Sequence, residues 1–212
     1  MIEVACFTFN PFQENTYVLY DETRSCVIID PGCFSPHEQN QLIDFIQTNA
    51  LKPQHLLNTH CHIDHILGNA FVMEQYNLDL KLHKDELFTY TDANKWVSML
   101  GINLIVVPTQ LAFIDETHTI QFGNSSLNIA YTPGHSKASL TFYNLNEKLA
   151  IAGDVLFRES IGRTDLPGGN FDTLIDSIRT QLLVLPDDTT VYSGHGPATT
   201  IGHERRFNPF LT

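Results

Sequence analysis

Residues 59–65 read Thr59-His60-Cys61-His62-Ile63-Asp64-His65, a stretch dense in metal-ligating side chains. His60 and His62 are two apart, so in an extended segment both rings point to the same side. Asp64 and His65 fall where a helix is predicted to begin, and the turn swings them towards a neighbouring point. One segment can therefore serve two metal positions. Imidazole nitrogen suits zinc, and an added carboxylate suits zinc, manganese or iron. Three later places repeat this chemistry: Thr132-Pro133-Gly134-His135, Ile151-Ala152-Gly153-Asp154 and Ser193-Gly194-His195-Gly196. Each reads as a strand-end loop, where a rigid scaffold displays functional groups, and the glycines allow close backbone approach. Singly each would be a turn feature; with the first cluster they form a ligand set. Cys61 alternates away from its neighbours and is not expected to be a ligand. His37, His55, His83, His118 and His203 stand alone and are read as ordinary surface or core residues.

The elements that must position these groups follow from periodicity. Strands are predicted over 2–9, 15–20 and 25–29, after which Asp30-Pro31-Gly32 carries turn chemistry. Ser35 reads as a helix N-cap, with Pro36 at the first helical position and Glu38 completing a capping box. That helix carries Leu42, Ile43, Phe45 and Ile46 at helical spacing and is expected to end at Lys52-Pro53. A short buried strand over 56–59 leads into the histidine run. A helix then starts near Asp64, followed by a strand over 78–82 and a helical region over 85–100. Strands over 119–122, 127–131, 139–144, 149–153 and 189–193, with a helix over 171–185, complete the pattern. Strands then helices, twice over, predict two sheets packed face to face with helices outside, in one domain over 1–212.

Composition narrows the partners. Twelve Lys and Arg face 24 Asp and Glu, a formal charge of -12, which opposes a nucleic-acid backbone. The N-terminal stretch holds Glu3, Asn10, Pro11 and Glu14 and does not read as a signal peptide. No apolar run approaches the roughly 20 residues of a membrane span. The four cysteines lack paired spacing and are expected to be reduced thiols, so the expected location is the cytoplasm. Neither nucleic acid nor membrane is an expected partner, and no feature of the sequence sets an oligomeric state.

The order of His60-x-His62-x-Asp64-His65, His135, Asp154 and His195, with Asp30 in Ile29-Asp30-Pro31-Gly32, resembles the metallo-β-lactamase-fold superfamily over nearly the whole chain. That resemblance implies an αββα sandwich, an α/β architecture of four layers, with the site at one edge of the paired sheets. It implies a first metal on His60, His62 and His135, a second on Asp64, His65 and His195, and Asp154 bridging both. Asp30 and Thr59 would stand behind the ligands and orient them. Gly153-Asp154-Val155-Leu156-Phe157, the loop Ile161-Gly162-Arg163-Thr164-Asp165-Leu166-Pro167-Gly168-Gly169 and Gly194-His195-Gly196-Pro197 are similar to short glyoxalase II-like thioester hydrolases. The tail Glu204-Arg205-Arg206-Phe207-Asn208-Pro209-Phe210-Leu211 is similar too, and is expected to anchor by packing Phe207 and Phe210 down. Full-length glyoxalase II enzymes add a C-terminal helical domain with basic residues for glutathione. This chain is expected to act without one, and Asp165 and Pro197 stand where that family has tyrosines.

The expected function is thus hydrolysis of an S-2-hydroxyacyl thiol by two divalent cations, zinc first, with iron or manganese also suited. Asp64 and Asp154 would take the proton of the attacking water, and Arg163, with Asp165 in the same loop, would orient the substrate. The resemblance also extends to persulfide dioxygenases, which share Gly162-Arg163-Thr164-Asp165 and would hold a single iron on His60, His135 and Asp154. Lactonases of the same superfamily are a further alternative. A true β-lactamase fits less well, because those enzymes typically lack the carboxylate that Asp154 supplies.

Overall fold

The computed structural model describes residues 1–99 and 110–212, and within 94–99 the backbone alone. In strands β1 (Glu3–Phe9), β2 (Glu14–Tyr20), β3 (Ser25–Ile29), β4 (Lys52–Leu57), β5 (Leu80–Leu82) and β6 (Leu111–Phe113), neighbours in sequence are neighbours in space. Together they form one six-stranded sheet, antiparallel from β1 to β3 and parallel from β3 to β6. β7 (Thr119–Phe122), β8 (Ser125–Tyr131), β9 (Leu140–Asn144), β10 (Leu149–Gly153), β13 (Thr190–Ser193) and β14 (Thr199–Thr200) form the second, in the order β14-β13-β10-β9-β8-β7. A two-residue hairpin, β11 (Leu156–Phe157) and β12 (Ser160–Ile161), follows β10. Helices α1 (Pro36–Thr48), α2 (Ile63–Ile66), α3 (Asn69–Tyr76) and α4 (Leu87–Met99) belong to the first half, α5 (Phe171–Ser177) and α6 (Ile201–Phe207) to the second.

The layering follows from strands that are apolar on both faces. In β3, Cys26 and Ile28 pack with Leu42 and Ile46 of α1, while Val27 and Ile29 turn the other way. Those inner residues meet Leu127 and Ile129 of β8 and Phe142 of β9, so the second apolar layer lies between the sheets. In β10, Leu149 and Ile151 join that layer, whereas Ala150 and Ala152 face Leu174 of α5 and Ile201 of α6. Three apolar layers between four layers of structure make the αββα sandwich.

Four local differences follow, and the first two have clear causes. The helix expected from Asp64 breaks at Gly68, which presses on the loop after β3. A Cβ there would sit 2.5 Å from Cys33 Sγ and 2.7 Å from the Pro31 carbonyl oxygen. Lys52-Pro53 opens β4 rather than closing α1, which ends at Thr48. The β3–β4 register shifts beside Pro53, as expected for a residue with no N–H to donate. The helical region expected over 85–100 is a 3₁₀ turn, Lys84–Glu86, followed by α4, and residue 100 lies outside the described residues. The helix expected over 171–185 is α5 widening into a π-helical turn over Ile178–Leu182.

The tail is anchored differently from expectation. Phe207 is 60% exposed and Phe210 44%. Helical phase puts Ile201, Glu204 and Asn208 on the inner face instead, and all three are buried. Glu204 accepts from the Glu159 N–H at 2.9 Å and from the Thr199 hydroxyl, and Asn208 Nδ2 donates to the Ser160 carbonyl at 2.9 Å. No helix among the described residues is long and apolar enough to cross a membrane.

Candidate metal centre

Strands β3 and β4 are parallel, as are β10 and β13, so the carboxyl ends of each pair open on a common edge. Past those ends come Asp30, the histidine run, Asp154 and His195, and past β8 comes His135. Bonds that join the sheets at this edge include Leu140 N–H to the Thr59 carbonyl at 2.8 Å, Asn15 N–H to the Gly194 carbonyl at 2.7 Å, and Tyr17 OH to the Ser193 carbonyl at 2.6 Å. Backbone approach is close. A Cβ on Gly194 would lie 2.1 Å from Asp154 Oδ1 and 2.7 Å from His65 Cε1, so only glycine fits there.

His60 and His62 share a side, with ring centroids 4.7 Å apart. His135 Nε2 comes within 2.8 Å of His62 Nδ1 and 3.2 Å of His60 Nε2. A second group, Asp64, His65 and His195, gathers beside it. His195 Nε2 is 3.1 Å from Asp64 Oδ2, and His65 Nε2 is 3.8 Å from the same oxygen. Asp154 stands between the groups, with Oδ1 3.4 Å from His65 Nε2 and Oδ2 3.5 Å from His135 Nε2 and 3.6 Å from His195 Nε2.

Behind these atoms lies a ring of anchors. Asp30 Oδ2 takes the hydroxyl proton of Thr59 at 2.5 Å, so Thr59 Oγ1 can only accept at His60 Nδ1, 3.0 Å away. The same Asp30 oxygen is 3.1 Å from His65 Nδ1. One carboxylate thus fixes the Nδ1–H tautomer of two histidines, one directly and one through a hydroxyl, and turns both Nε2 lone pairs inward. His135 Nδ1 donates to the Arg163 carbonyl at 2.7 Å, and His195 Nδ1 lies 3.2 Å from the Gln13 carbonyl. Asp30 is itself held by the Thr59 N–H at 2.7 Å and by Asn58 Nδ2 at 3.2 Å.

These residues fit a pair of divalent cations. With their Nδ1 protons committed outward, His60 Nε2 and His135 Nε2 face each other as lone pairs, an arrangement that repels unless a cation lies between them. His65 Nε2 and Asp154 Oδ1 are buried with no hydrogen-bond partner, which would cost about 1–3 kcal/mol each if nothing met them. The electrostatics agree. Burial and the neighbouring His135 and His65 push the His62 imidazole down to about 3. His60 and His135 are also pushed down, burial being the largest cause in each. Burial alone would raise Asp64 and Asp154, but His65 and then His195 or His135 outweigh it and hold both carboxyls below their usual range. Neutral imidazoles at His60, His62 and His135 and ionised carboxylates at Asp64 and Asp154 are the ligand states that zinc, iron or manganese takes up. Burial works to lower His65 and His195, but Asp64 and Asp154 outweigh it and raise both, so a cation beside them would displace their protons.

Several contributors were not singled out in the sequence. Glu86, fully buried in the 3₁₀ turn before α4, accepts from the Cys61 N–H at 2.9 Å. It also accepts from Ser136 Oγ and the Ala138 N–H, both at 2.8 Å. It therefore ties the histidine run to the loop of His135. Asn15 Nδ2 grips the loop of His195, donating to the Ser193 and Gly196 carbonyls at 3.1 and 2.9 Å. Glu14 is buried 3.9 Å from His65 Nδ1. Burial pushes its carboxyl well up, with His65 opposing. Cys61 is buried outside the ligand groups, and none of the five lone histidines joins a ligand group among the described residues.

Arg163 and Asp165 lie farther out than the metal-binding atoms. The Arg163 carbonyl holds His135, while its guanidinium makes two 2.7 Å bonds to Asp165, holding that carboxyl down at about 2. The centre opens into a cleft of about 730 Å³ lined by Asp64, Asp154 and His195 on one side and a wall of aromatic and aliphatic groups on the other.

A sandwich of this topology with a histidine and aspartate centre at the sheet edge defines a class of metallo-hydrolases, and the chain belongs to it: residues 9–195 match the metallo-beta-lactamase superfamily. Within that class it is 39% identical over 203 residues to a probable metallo-hydrolase, YqgX, of Bacillus subtilis, covering 95% of this chain and 93% of the relative. It is 35% identical to hydroxyacylglutathione hydrolase GloC of Haemophilus influenzae, covering 94% and 93%. Among solved structures, the B3 metallo-beta-lactamase BLEG-1 superposes with a TM-score of 0.87 at 36% identity, covering 100% of both chains. TTHA1623 in a di-iron-bound form superposes with a TM-score of 0.86 at 36% identity, covering 98% of this chain and 100% of that one.

Proposed function

We propose that the protein is a thioester hydrolase working with two divalent cations, which converts an S-2-hydroxyacyl thiol and water into a 2-hydroxy acid and a free thiol. The observation that carries this reading is the position of Asp154, whose two oxygens face both ligand groups at 3.4–3.6 Å. His60, His62 and His135 would hold one ion, Asp64, His65 and His195 the other, with Asp154 between. When bound, such a pair supplies a water of lowered pKa and polarises the substrate carbonyl. The ionised carboxylates of Asp64 and Asp154 take the proton of the attacking water. The C–S bond then breaks, and a thiol with a pKa near 8.5 leaves as thiolate without a strong acid to protonate it. Asp30 and Thr59 keep the histidine rings oriented throughout. The di-iron form of TTHA1623 supports two ions, and the likeness to hydroxyacylglutathione hydrolase GloC supports thioester chemistry.

The test compares hydrolysis of D-lactoyl thioesters by zinc-loaded protein and by Asp154→Ala. The variant is expected to lose more than the roughly 10–100-fold typical of removing an outer partner, and to bind fewer ions per chain. Equal rates would sink the reading. One iron per chain, with oxygen uptake on a persulfide, would instead support a dioxygenase centred on His60, His135 and Asp154. Faster turnover of a lactone than of any thioester would make it a lactonase.

A further inference from the structure

Apart from the metal-binding groups, most of the cleft beside the centre is apolar. Phe12 comes from the β1–β2 turn, Phe88 from the first turn of α4, Phe157 and Ile161 from the β11–β12 hairpin, and Leu166 and Pro167 from the loop that follows. Phe12 and Phe88 are 58% and 56% exposed at its rim, where a bound apolar group would remove their surfaces from water.

The charges point the same way. Among the described lining residues Arg163 is the one cation, and Asp165 grips its guanidinium with two bonds. Asp64 and Asp154 face the proposed ions, so away from the centre Asp92 is the other charged lining group among the described residues. A peptide thiol such as glutathione carries carboxylates of its own. It would have to draw Arg163 away from Asp165, then lay its polar backbone against phenyl rings and aliphatic side chains that return no hydrogen bond.

Resting on the thioester reading above, we infer that the cleft selects thioesters whose thiol part is uncharged and apolar, and disfavours those of a carboxylate-bearing peptide thiol. Phe88 and Phe12 supply the attraction. Asp165 adds to the selectivity by occupying Arg163, the one Lys or Arg side chain among the described lining residues. Because the Arg163–Asp165 pair is exposed, its share of the discrimination is small, and the apolar wall carries most of it.

The experiment holds the acyl group constant. Zinc-loaded protein is assayed on D-lactoyl thioesters of benzyl mercaptan, N-acetylcysteamine and glutathione. The expected order of kcat/KM is benzyl first and glutathione last, at least about tenfold apart and separated mainly by KM. Phe88→Ala should lower the benzyl value severalfold and narrow the ratio between the benzyl and glutathione values. Asp165→Asn should raise the glutathione value. Equal or faster turnover of the glutathione thioester by the unsubstituted protein overturns the inference. If no thioester turns over, the thioester reading itself fails, and calorimetric titration with benzyl methyl sulfide and S-methylglutathione decides the cleft separately. Tighter binding of the benzyl sulfide supports the apolar selection, and tighter binding of the peptide thioether overturns it.

Discussion

Glu86 shows how much of a metal centre can lie in a residue that touches no metal. Its two oxygens take three protons, one from the loop of His60 and His62 and two from the loop of His135. Those three histidines arrive from different sheets, so the carboxylate sets the spacing between them. Glu86→Gln puts an N–H₂ where an acceptor is required, and metal affinity is expected to weaken about 10–100-fold. Competition with a chelator reads this directly. Unchanged affinity, with only the melting temperature lowered, would reduce Glu86 to a structural role. The candidate ligand cluster was legible in the sequence because histidine and aspartate at such spacing have few other uses. Glu86 was not, because one glutamate in a polar helical stretch looks like any solvated residue until the fold brings to it Cys61 and Ser136, 25 and 50 positions away. Asn15 was hidden in the same way, within a strand read only for its apolar neighbours.

Among the elements, α1 is the one whose start could be read in most detail. Ser35 and Glu38 form the expected capping box, and Glu38 goes further, accepting from the Asn10 N–H at 2.6 Å and the Phe34 N–H at 2.9 Å. Burial works to raise the Glu38 carboxyl, but bonds from the Ser35 and Asn10 backbone, among others, outweigh it and lower it. A carboxyl that is lowered on folding stabilises the protein above its ordinary range. That contribution is lost as pH falls through the folded value. Glu38→Ala is therefore expected to cost about 1 kcal/mol at neutral pH, and the difference from the unsubstituted protein should shrink below pH 4. Urea unfolding at the two pH values checks it; a gap that persists in acid would contradict the assignment. Capping is legible because it is a local contract between residues three apart. The ends of the C-terminal helix are not, since Phe207 invited burial by composition while the helical phase, set by Glu204 and Asn208 meeting the β11–β12 hairpin, turned it outward.

At the scale of the whole molecule, the centre is a junction between the two halves. His60, His62, Asp64 and His65 come from the first sheet's side and His135, Asp154 and His195 from the second. Cations that bind this junction and not the unfolded chain stabilise the fold by mass action, about 4 kcal/mol at a thousandfold excess over Kd. For a chain of this size that corresponds to a melting temperature on the order of 10 °C higher. Calorimetry after exhaustive chelation should show that loss, and added zinc should restore it. No change on chelation would mean that the sheets dock without help from the ions. The four-layer plan was legible because strands followed by helices occur twice, and β3 beyond Ser25 and β10 are apolar on both faces and so need cover on each. The short strands β6, β11, β12 and β14 were not, since two or three residues carry no period of their own.

The grip of Asn15 on the loop of His195 spans 178 and 181 positions of the chain. On a ribosome, the first strands are therefore made long before the loop they must hold exists. Until the loop of His195 has been made, a nascent chain can offer the first histidine run but not the finished constellation. Contacts of such separation also close slowly in refolding. A centre filled by ions of the proposed kind would thus certify that these two distant segments have met.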